Sequence, residues 1–541
     1  MRNLSNFIFK ILTRGILFPL LILIVNYHFI YGWNYYINRA NEPFLLYFHM
    51  RSYTTQTLAL FITITIMYYI NNHYDEIKLL TKNSFVYYSG IVYGIFKYIL
   101  VICMIPVFYY FAFCLIHGVD NILNTTNIFI KMLIFEWILP LTSLAVLLGF
   151  VSITIKNKII KYSLSSLIFY LVSGNILTVS MKLNDTFIRS IIKYINIFSD
   201  MAYTRYSYTM GYVFDQFYIM DKSICFIIIA TCFLLLYFKN KFKGKNKYKI
   251  LTVISTSLIL SLSSLIYNIG SNIHYTNEDY TYNKEFDSLD IANKYKITNY
   301  SMNLNLDNRL NNNVSLNFKN ISNEKISNID LILDDIFKVD EIVVNNKKLD
   351  FIHEENILNI NIPSDMLLDN NFEIKISYSG FVHVLNSVYQ YMYIANSNKV
   401  MLPMDSLAWY PKTNDNNMIN FDININSKNK VYSNLELTKI DINGSNYELK
   451  YTGNSNDVFL YSGNYKEVIE NDIVFIYPQD LDLHFELQLG LFGNLNNDES
   501  SMFKGLFNNK QIKKVVFGRK SDSNGFINYQ LLDNILLINL Y

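Results

Sequence analysis

The first half of the chain contains long runs of apolar residues, and these runs constrain its fold more than any other feature. A helix needs about 20 mostly apolar residues to cross a bilayer. Seven runs approach or reach that length, at about 15–33, 54–70, 91–115, 130–155, 163–181, 223–238 and 250–269. The first run is not a cleavable signal peptide, because no small-x-small cleavage site follows it and more runs come after it. The sequence therefore predicts a multi-pass α-helical membrane domain over residues 1–270.

Basic residues lie in alternate loops between these runs, and they predict the orientation of the domain. They occur at the N-terminus, after the second run, after the fourth run and in the lysine-rich segment 239–249. Loops rich in Lys and Arg stay in the cytoplasm. The N-terminus is therefore predicted to be cytoplasmic, and an odd number of spans places residues after about 270 outside a bacterial cell membrane. The lysines of 239–249 can also bind anionic lipid or a nucleotide-binding partner.

The formal charges of the two halves have opposite signs. Residues 1–270 contain 23 Lys and Arg against 9 Asp and Glu, whereas residues 271–541 contain 23 against 35. The basic residues of the first half lie between apolar runs and not along one polar face, which indicates a lipid bilayer, and no nucleic acid, as the partner. All four cysteines lie in apolar runs. Neither a disulfide framework nor a cysteine metal site is therefore predicted.

One acidic residue lies within a predicted span. Glu136 is followed by Trp137 in the fourth run, which passes from outside to inside and is longer than a bilayer requires. We therefore expect both residues near the outer interface, with Trp137 in the aromatic belt. Residues 182–222 are too charged to span, and the helical spacing of their apolar residues predicts one or two interfacial helices.

The layout of residues 1–240 resembles that of the permease subunits of type-2 ABC exporters. In that family six spans follow a cytoplasmic N-terminus, and the loop between spans two and three meets the ATPase. The segment "NNHYDEIKLLTKNSFVYYSGIVYGIFKY" at 71–98 is similar to that loop. The resemblance implies four candidate ATPase-coupling residues: Asp75, Glu76, Lys78 and Lys82. No G-x-x-x-x-G-K-[ST] motif occurs in the chain, so the implied partner is a separate ATP-binding cassette ATPase subunit, in a homo- or heterodimer of permease subunits.

After a linker at 271–294 the apolar pattern changes to a period of two. Apolar and polar residues alternate in "YSMNLNL", "VSLNF", "FEIKISY" and "DIVFIYP". This alternation predicts half-buried strands, and turn residues such as Asn443-Gly444 separate them. The second half is therefore predicted to be all-β, as an antiparallel sandwich or a large saddle-shaped sheet, followed by a short α/β tail.

Residues 295–478 resemble the N-terminal β-domain of the aminopeptidase N family of zinc metallopeptidases. The segments that carry the resemblance include "YKITNYSMNLNLDNRL", "NNFEIKISYSGFV", "MLPMDSLAWYPKTND" and "NDVFLYSGNYKEV". The resemblance implies a structural corner at Trp409, Tyr410 and Pro411. We expect the indole to fill the core there, with contact to a substrate as the alternative. Residues 479–541 look like an incomplete start of that family's catalytic domain, with a helix at about 482–508 and two later strands.

The sequence lacks the residues that the chemistry of this family requires. The family holds zinc with H-E-x-x-H on a helix, where two His four residues apart are ligands and the Glu activates water. None of the eight histidines has another four residues on, and "HEENI" at 353–357 matches only the first two letters. We therefore predict no catalytic residue, no metal site and no cofactor, and we expect that the chain is not an enzyme.

Three functions stay open on the sequence alone. The first is the membrane-spanning permease subunit of an ABC-type exporter with a non-catalytic, peptidase-like external domain. The second is a membrane-anchored aminopeptidase-like protein that stops before its zinc site. The third is a membrane-anchored external module that binds a peptide or an envelope ligand. No motif in the chain indicates a transported substrate.

Overall fold

The structure is a computed structural model of the chain, and it falls into two compact units. One unit holds residues 1–206 and 212–271, and the other holds 207–211 and 272–541. The described residues are 2–38, 52–70, 72–73, 76, 84–117, 122–172, 197–198, 206–207, 211–212, 214, 216–241, 274–275, 294–322, 325–363, 371–385, 391–404, 407–413, 417–463, 465–470, 472–478, 512–518, 527–532 and 534–540. We call the two units the helical unit and the β-rich unit.

The described part of the helical unit contains eight α-helices. Their bounds are α1 Arg2–Arg14, α2 Leu17–Asn38, α3 Ser52–Thr65, α4 Ser84–His117, α5 Ile122–Met132, α6 Leu139–Thr154, α7 Lys158–Val172 and α8 Gln216–Lys241. Two π-helical turns accompany them. Ile66–Ile70 extends α3, and Leu133–Ile138 joins α5 to α6.

Three helical stretches among the described residues are long and apolar enough to cross a membrane: Leu17–Asn34, Tyr88–Ile116 and Thr125–Thr154. They correspond to the first, third and fourth predicted spans. The second and sixth predicted spans coincide with shorter apolar helices, Thr57–Ile70 and Lys222–Leu235. The fifth is described only as far as Val172, and the seventh lies outside the described residues. A helical first half with candidate spans is confirmed, and the count of seven stays a prediction.

Glu136 and Trp137 are buried inside the helical unit, with 2% and 1% of their surfaces exposed. They lie in the π-helical turn Leu133–Ile138, and Phe29 of α2 stacks on the indole ring at 5.8 Å between centroids. Neighbouring helices therefore cover both side chains, a distinction from lipid that hydropathy does not make. The expected position of the two residues near the outer interface stays a prediction.

The described residues contain 24 strands. Their bounds are β1 Tyr206–Ser207, β2 Gly211–Tyr212, β3 His274–Tyr275, β4 Tyr295–Leu306, β5 Leu310–Asn320, β6 Asn328–Ile332, β7 Phe337–Val344, β8 Lys347–Lys348, β9 Phe351–Glu354, β10 Ile357–Asn361, β11 Asn371–Gly380, β12 Val382–Leu385, β13 Tyr391–Ala395, β14 Val400–Leu402, β15 Ile419–Ser427, β16 Val431–Ser433, β17 Glu436–Asn443, β18 Asn446–Ser455, β19 Leu460–Ser462, β20 Tyr465–Glu470, β21 Ile473–Pro478, β22 Lys514–Gly518, β23 Ile527–Leu532 and β24 Ile535–Leu540. The predicted change from helices to strands is confirmed.

The largest sheet has eight strands in the order β17-β18-β15-β4-β5-β11-β7-β8. Neighbouring strands are antiparallel except for β4 and β15, which run parallel with Asn299 beside Asn420. The prediction of a purely antiparallel sheet is therefore wrong at this pair. Parallel neighbours need a long crossover between them. Here the chain between β4 and β15 forms ten other strands before it returns.

Two smaller sheets share an apolar core with the large sheet. One has the order β16-β19-β14-β13-β12-β3, and the other has the order β6-β10-β9. Met302 of the large sheet, Tyr393 of the six-stranded sheet and Leu331 of the three-stranded sheet belong to one buried cluster. Every residue of β12, β13 and β14 is buried, as is typical of strands covered on both faces. The β-rich unit is thus built in layers around a continuous core.

A further sheet of five strands forms the tail of the chain, in the order β20-β21-β22-β24-β23. β21, β22 and β24 run parallel, which requires crossover connections between them. The two strands predicted after residue 508 correspond to β22 and β24. The predicted helix at about 482–508 lies outside the described residues. The sequence placed the start of the tail at residue 479. The tail sheet begins before that residue, because β20 and β21 belong to it.

Candidate functional site

The segment around Trp409 forms a buried corner of the β-rich unit. None of the Trp409 surface is exposed, and its indole meets the Tyr410 ring edge to face at 4.6 Å between centroids. Two tyrosines of the large sheet hold the backbone of the corner. The Tyr378 hydroxyl donates to the Trp409 carbonyl at 2.9 Å, and the Tyr300 hydroxyl donates to the Pro411 carbonyl at 2.8 Å. This position favours the structural role that the sequence predicted over contact with a substrate.

A buried ion pair lies next to this corner. The Lys412 ammonium contacts both carboxylate oxygens of Asp457, at 2.7 Å and 2.8 Å. The Tyr410 hydroxyl donates to the same carboxylate at 2.5 Å, and the Lys412 Nζ lies 4.5 Å from the centre of the Tyr410 ring. The two charged side chains are only 11% and 6% exposed. Sequence reasoning missed this pair, because 45 residues separate its members and no spacing rule connects them.

Asp334 is a second buried acid at the same corner. Its backbone N–H donates to the Ala408 carbonyl at 3.0 Å, and its side chain accepts a hydrogen bond from the Ile336 N–H at 3.1 Å. The pKa of Asp334 is raised to about 7, chiefly by burial; the Ile336 N–H hydrogen bond lowers the pKa and the neighbouring Asp335 raises it. The carboxyl group therefore titrates close to neutral pH, within a turn that contacts the Trp409 segment.

The histidines of the β-rich unit are spread over separate strands. His274 lies in β3, His353 in β9 and His383 in β12, whereas His484 lies outside the described residues. The "HEENI" segment is a β9–β10 hairpin whose turn residues Glu355 and Asn356 have φ of 50° and 63°, so it is not a zinc-binding helix. In the described ranges, no three His, Cys, Asp or Glu side chains come together in a group that could hold a metal ion.

Only one of the four candidate ATPase-coupling residues lies among the described residues. Glu76 is exposed, and its Oε2 lies 2.8 Å from Nδ1 of His73. Asp75, Lys78 and Lys82 lie outside the described residues. The structure therefore presents Glu76 on a surface but does not test whether the four residues act together.

Helix α1 packs closely against α4 at two glycines. A Cβ atom at Gly90 would lie 2.4 Å from Leu4 Cδ2, and one at Gly94 would lie 2.8 Å from Ile8 Cβ. The two glycines are four residues apart, the spacing that allows two helix backbones to approach closely in membranes. The Lys97 ammonium adds a hydrogen bond to Asn6 at 2.7 Å. The N-terminal helix is thus fixed to the start of α4.

The bend after α1 contacts the end of α3. A Cβ atom at Gly15 would lie 1.6 Å from the Tyr69 hydroxyl, so a larger residue there would require the Tyr69 side chain to move. Two residues earlier, in the same π-helical turn, the thioether of Met67 accepts hydrogen bonds from Ser152 of α6 at 3.4 Å and from Ser165 of α7 at 3.3 Å. The segment between α3 and α4, which contains Glu76, is therefore flanked by two helix ends that both contact the α1 region.

A polar groove of about 540 Å³ lies on the outer face of the large sheet. Its lining includes the exposed asparagines Asn303, Asn305, Asn313, Asn424 and Asn426. Sequence reasoning missed this groove because it used only the apolar half of each alternating pattern. The signal was present in "SMNLNL" and "DININS", where asparagine occupies two of the three outward positions of each stretch.

Comparison with known proteins gives only distant similarity. No protein family model matches the chain, and no curated protein matches it. The chain is similar to the crystal structure of the M1 zinc metallopeptidase from Deinococcus radiodurans, with 10% identity and a TM-score of 0.34, over 45% of this chain and 60% of that one. A mutant of that enzyme gives 11% identity and a TM-score of 0.34, over 46% and 60% of the two chains.

A two-domain M1 zinc metallopeptidase mutant bound to L-tryptophan is similar at 12% identity, with a TM-score of 0.33, over 46% of this chain and 61% of that one. The chain therefore spans about three fifths of the length of the structures that it matches.

Proposed function

We propose that the chain is the membrane-spanning permease subunit of an ABC-type exporter, and that a separate ATPase subunit powers its transport. The observation that carries the proposal is the contact of the α1 region with both helix ends that flank the segment 71–83. Gly15 contacts Tyr69 at the end of α3, and Gly90 and Gly94 contact α1 near the start of α4. The two helix ends on either side of the segment are thus both in contact with the α1 region, so a displacement of either end would reach it.

The hydrogen bonds of Met67 extend this path into the rest of the bundle. They link the end of α3 to α6 and α7, so a displacement of the end of α3 would reach three helices. Pro106 interrupts the backbone hydrogen bonding of α4, and the π-helical turn Leu133–Ile138 loosens the stretch between α5 and α6. The spans can bend at these two places during transport.

In this proposal the β-rich unit lies outside the cell membrane and is not catalytic. The lysine-rich alternate loops support the orientation. The lack of a metal-binding group among the described side chains, together with the missing H-E-x-x-H motif, supports a binding or structural role over peptide hydrolysis. The subunit would act in a homo- or heterodimer of permease subunits.

The partner is tested by purifying the full chain, with its natural membrane partners, into lipid nanodiscs. We expect a nucleotide-binding subunit to co-purify, and we expect ATP hydrolysis only when it is present. Glu76→Lys should lower both the recovery of that subunit and the ATPase rate, because it reverses an exposed charge on the coupling segment. Glu354→Lys, an exposed charge reversal in the β-rich unit, is the matched control and should change neither. ATP hydrolysis by the chain alone would disprove the proposal.

The orientation is tested separately with cysteine labelling on intact cells. A single cysteine placed within 239–249 should resist an impermeant thiol reagent, and one placed near 415 should react with it. The opposite pattern would place the β-rich unit in the cytoplasm and would reverse the proposed topology.

A further inference from the structure

The asparagines of the polar groove form ordered rows across three strands. The register places Asn424 beside Asn303 and Asn303 beside Asn313, so one row crosses β15, β4 and β5. The next row contains Asn426 beside Asn305. Neighbouring strands lie about 4.8 Å apart, and outward residues repeat about every 6.7 Å along a strand. The groove floor is therefore a regular grid of amide groups.

Each amide of the grid offers both hydrogen-bonding functions to a ligand. An asparagine side chain has two N–H donors and an oxygen with two acceptor sites. One internal bond is made, from Nδ2 of Asn424 to Oδ1 of Asn303 at 3.0 Å, and it uses one donor and one acceptor site. It also fixes the two amides in position, so the remaining donors and acceptors face the groove in a defined arrangement.

The charged residues of the groove balance one another. The lining contains two lysines, Lys439 and Lys450, and two acids, Asp441 and Glu448. Lys439 lies 2.5 Å from Asp441, and Lys450 lies 2.9 Å from Asp422 on the same face. Within the lining itself the opposite charges are equal in number, so it has no excess of one sign to select an anion or a cation.

The backbone beneath the groove is already paired. β18, β15, β4 and β5 each have a strand on both sides, so a peptide cannot add to them as a new strand. A ligand of this surface must therefore bind through the side chains. Hydroxyl groups match these amides best, because each hydroxyl also donates and accepts. A volume of about 540 Å³ falls in the range of small-molecule sites.

We propose that this groove binds a neutral, polyhydroxylated ligand, namely an oligosaccharide chain. The inference does not rest on the exporter proposal, because the groove lies wholly within the β-rich unit. The lining residues are all polar or aliphatic, without an aromatic ring on which a sugar could stack. Binding should therefore be weak and should depend on hydrogen bonds.

The test is saturation-transfer NMR on the full chain in nanodiscs of zwitterionic lipid, without sugar-based detergent. The probes are cellotetraose, maltotetraose and N-acetylglucosamine tetramer. We expect transfer from the protein to at least one of them, with a Kd that rises about tenfold in the double variant N303A/N424A, since each lost amide bond weakens binding severalfold. The matched control is N299A/N420A. It removes an asparagine pair of the same kind, hydrogen-bonded at 2.7 Å across the same two strands but absent from the groove lining.

Three outcomes would overturn the inference. The first is no transfer to any of the three oligosaccharides at about 20 mM, a concentration at which a site with a Kd of about 1 mM would be almost fully occupied. The second is an equal loss of binding in N303A/N424A and N299A/N420A. The third is that an uncharged Gly-Ser tetrapeptide binds in an N303A/N424A-sensitive way while the sugars do not. Circular dichroism of both variants should match that of the parent chain, so that a folding defect is distinguished from a lost contact.

Discussion

The buried ion pair between Lys412 and Asp457 should contribute far more to the stability of the β-rich unit than an exposed ion pair of that unit. Lys412→Met keeps most of the side-chain volume but removes the charge. It leaves the Asp457 carboxylate buried, with the Tyr410 hydroxyl at 2.5 Å and the Val458 amide at 2.7 Å among its remaining donors. Removing one partner of a buried pair costs about 3–5 kcal/mol, because the other charge stays out of water. We expect about 3 kcal/mol, since those donors remain.

The double variant K412M/D457N separates the interaction free energy of the two charges from the cost of changing each residue alone. Asp457→Asn alone should also cost about 3 kcal/mol, because the Lys412 ammonium is then buried against the Tyr410 ring without its counter-charge. The double variant leaves no unpaired charge, so it should cost about 2–3 kcal/mol instead of the sum of about 6 kcal/mol. The coupling free energy is then about 3–4 kcal/mol.

Hydrogen–deuterium exchange on the full chain measures this prediction, through the opening free energy of peptides from β15 and β18. Lys348→Met is the matched control, because Lys348 and its partner Glu341 are 78% and 37% exposed. It should cost less than about 1 kcal/mol. A cost below about 1 kcal/mol for Lys412→Met, or additivity of the two single variants within about 0.5 kcal/mol, would refute the reasoning.

Three further predictions concern other buried positions. Trp409→Ala should destabilise the β-rich unit by about 3–5 kcal/mol in the same exchange measurement, and a cost under about 0.5 kcal/mol would mark the ring as dispensable for the core. The stability of the unit should fall as pH rises from about 4 to about 7, because the unfolded state releases the Asp334 proton there while the folded state keeps it. Asp334→Asn should flatten that slope in urea unfolding at several pH values, and an unchanged slope would contradict the assignment. Gly94→Ala should release α1 from α4 and raise amide exchange in residues 2–14 at least tenfold, whereas Gly149→Ala, whose added Cβ would have no neighbour nearer than 3.6 Å, should not.

The sequence predicted local features of the fold well, because each depends on a short repeating pattern. The period-two runs became strands, and Trp409 became a core residue with no exposed surface. The burial of Glu136 and Trp137 by neighbouring helices could not be predicted, because hydropathy reports only that a position is apolar, and not whether lipid or protein covers it. The parallel pair of β4 and β15 and the Lys412–Asp457 contact could not be predicted, since both join residues that are distant in the chain.

The candidate sites also differ in whether a local sequence pattern or a contact between distant residues defines them. The missing zinc motif is a local property, so the sequence alone excluded H-E-x-x-H. The groove depends on the register between three strands, and a shift of one residue would turn its asparagines into the core. Outward asparagines were visible in the sequence, but their alignment as Asn424, Asn303 and Asn313 was not.

The parallel pairing of β4 with β15 also has a consequence for the order of folding. Asn299 and Asn420 meet across it although they are 121 residues apart. The strands β5, β11 and β7 can assemble on β4 through nearer partners, and β15, β18 and β17 can form a second antiparallel block by themselves. Joining the two blocks requires closure of the long intervening loop, which is entropically costly and slow. Until then the unpaired edge of β4 is exposed to other chains. We therefore expect a half-assembled sheet as the aggregation-prone intermediate, and a slow folding phase that depends on the arrival of β15.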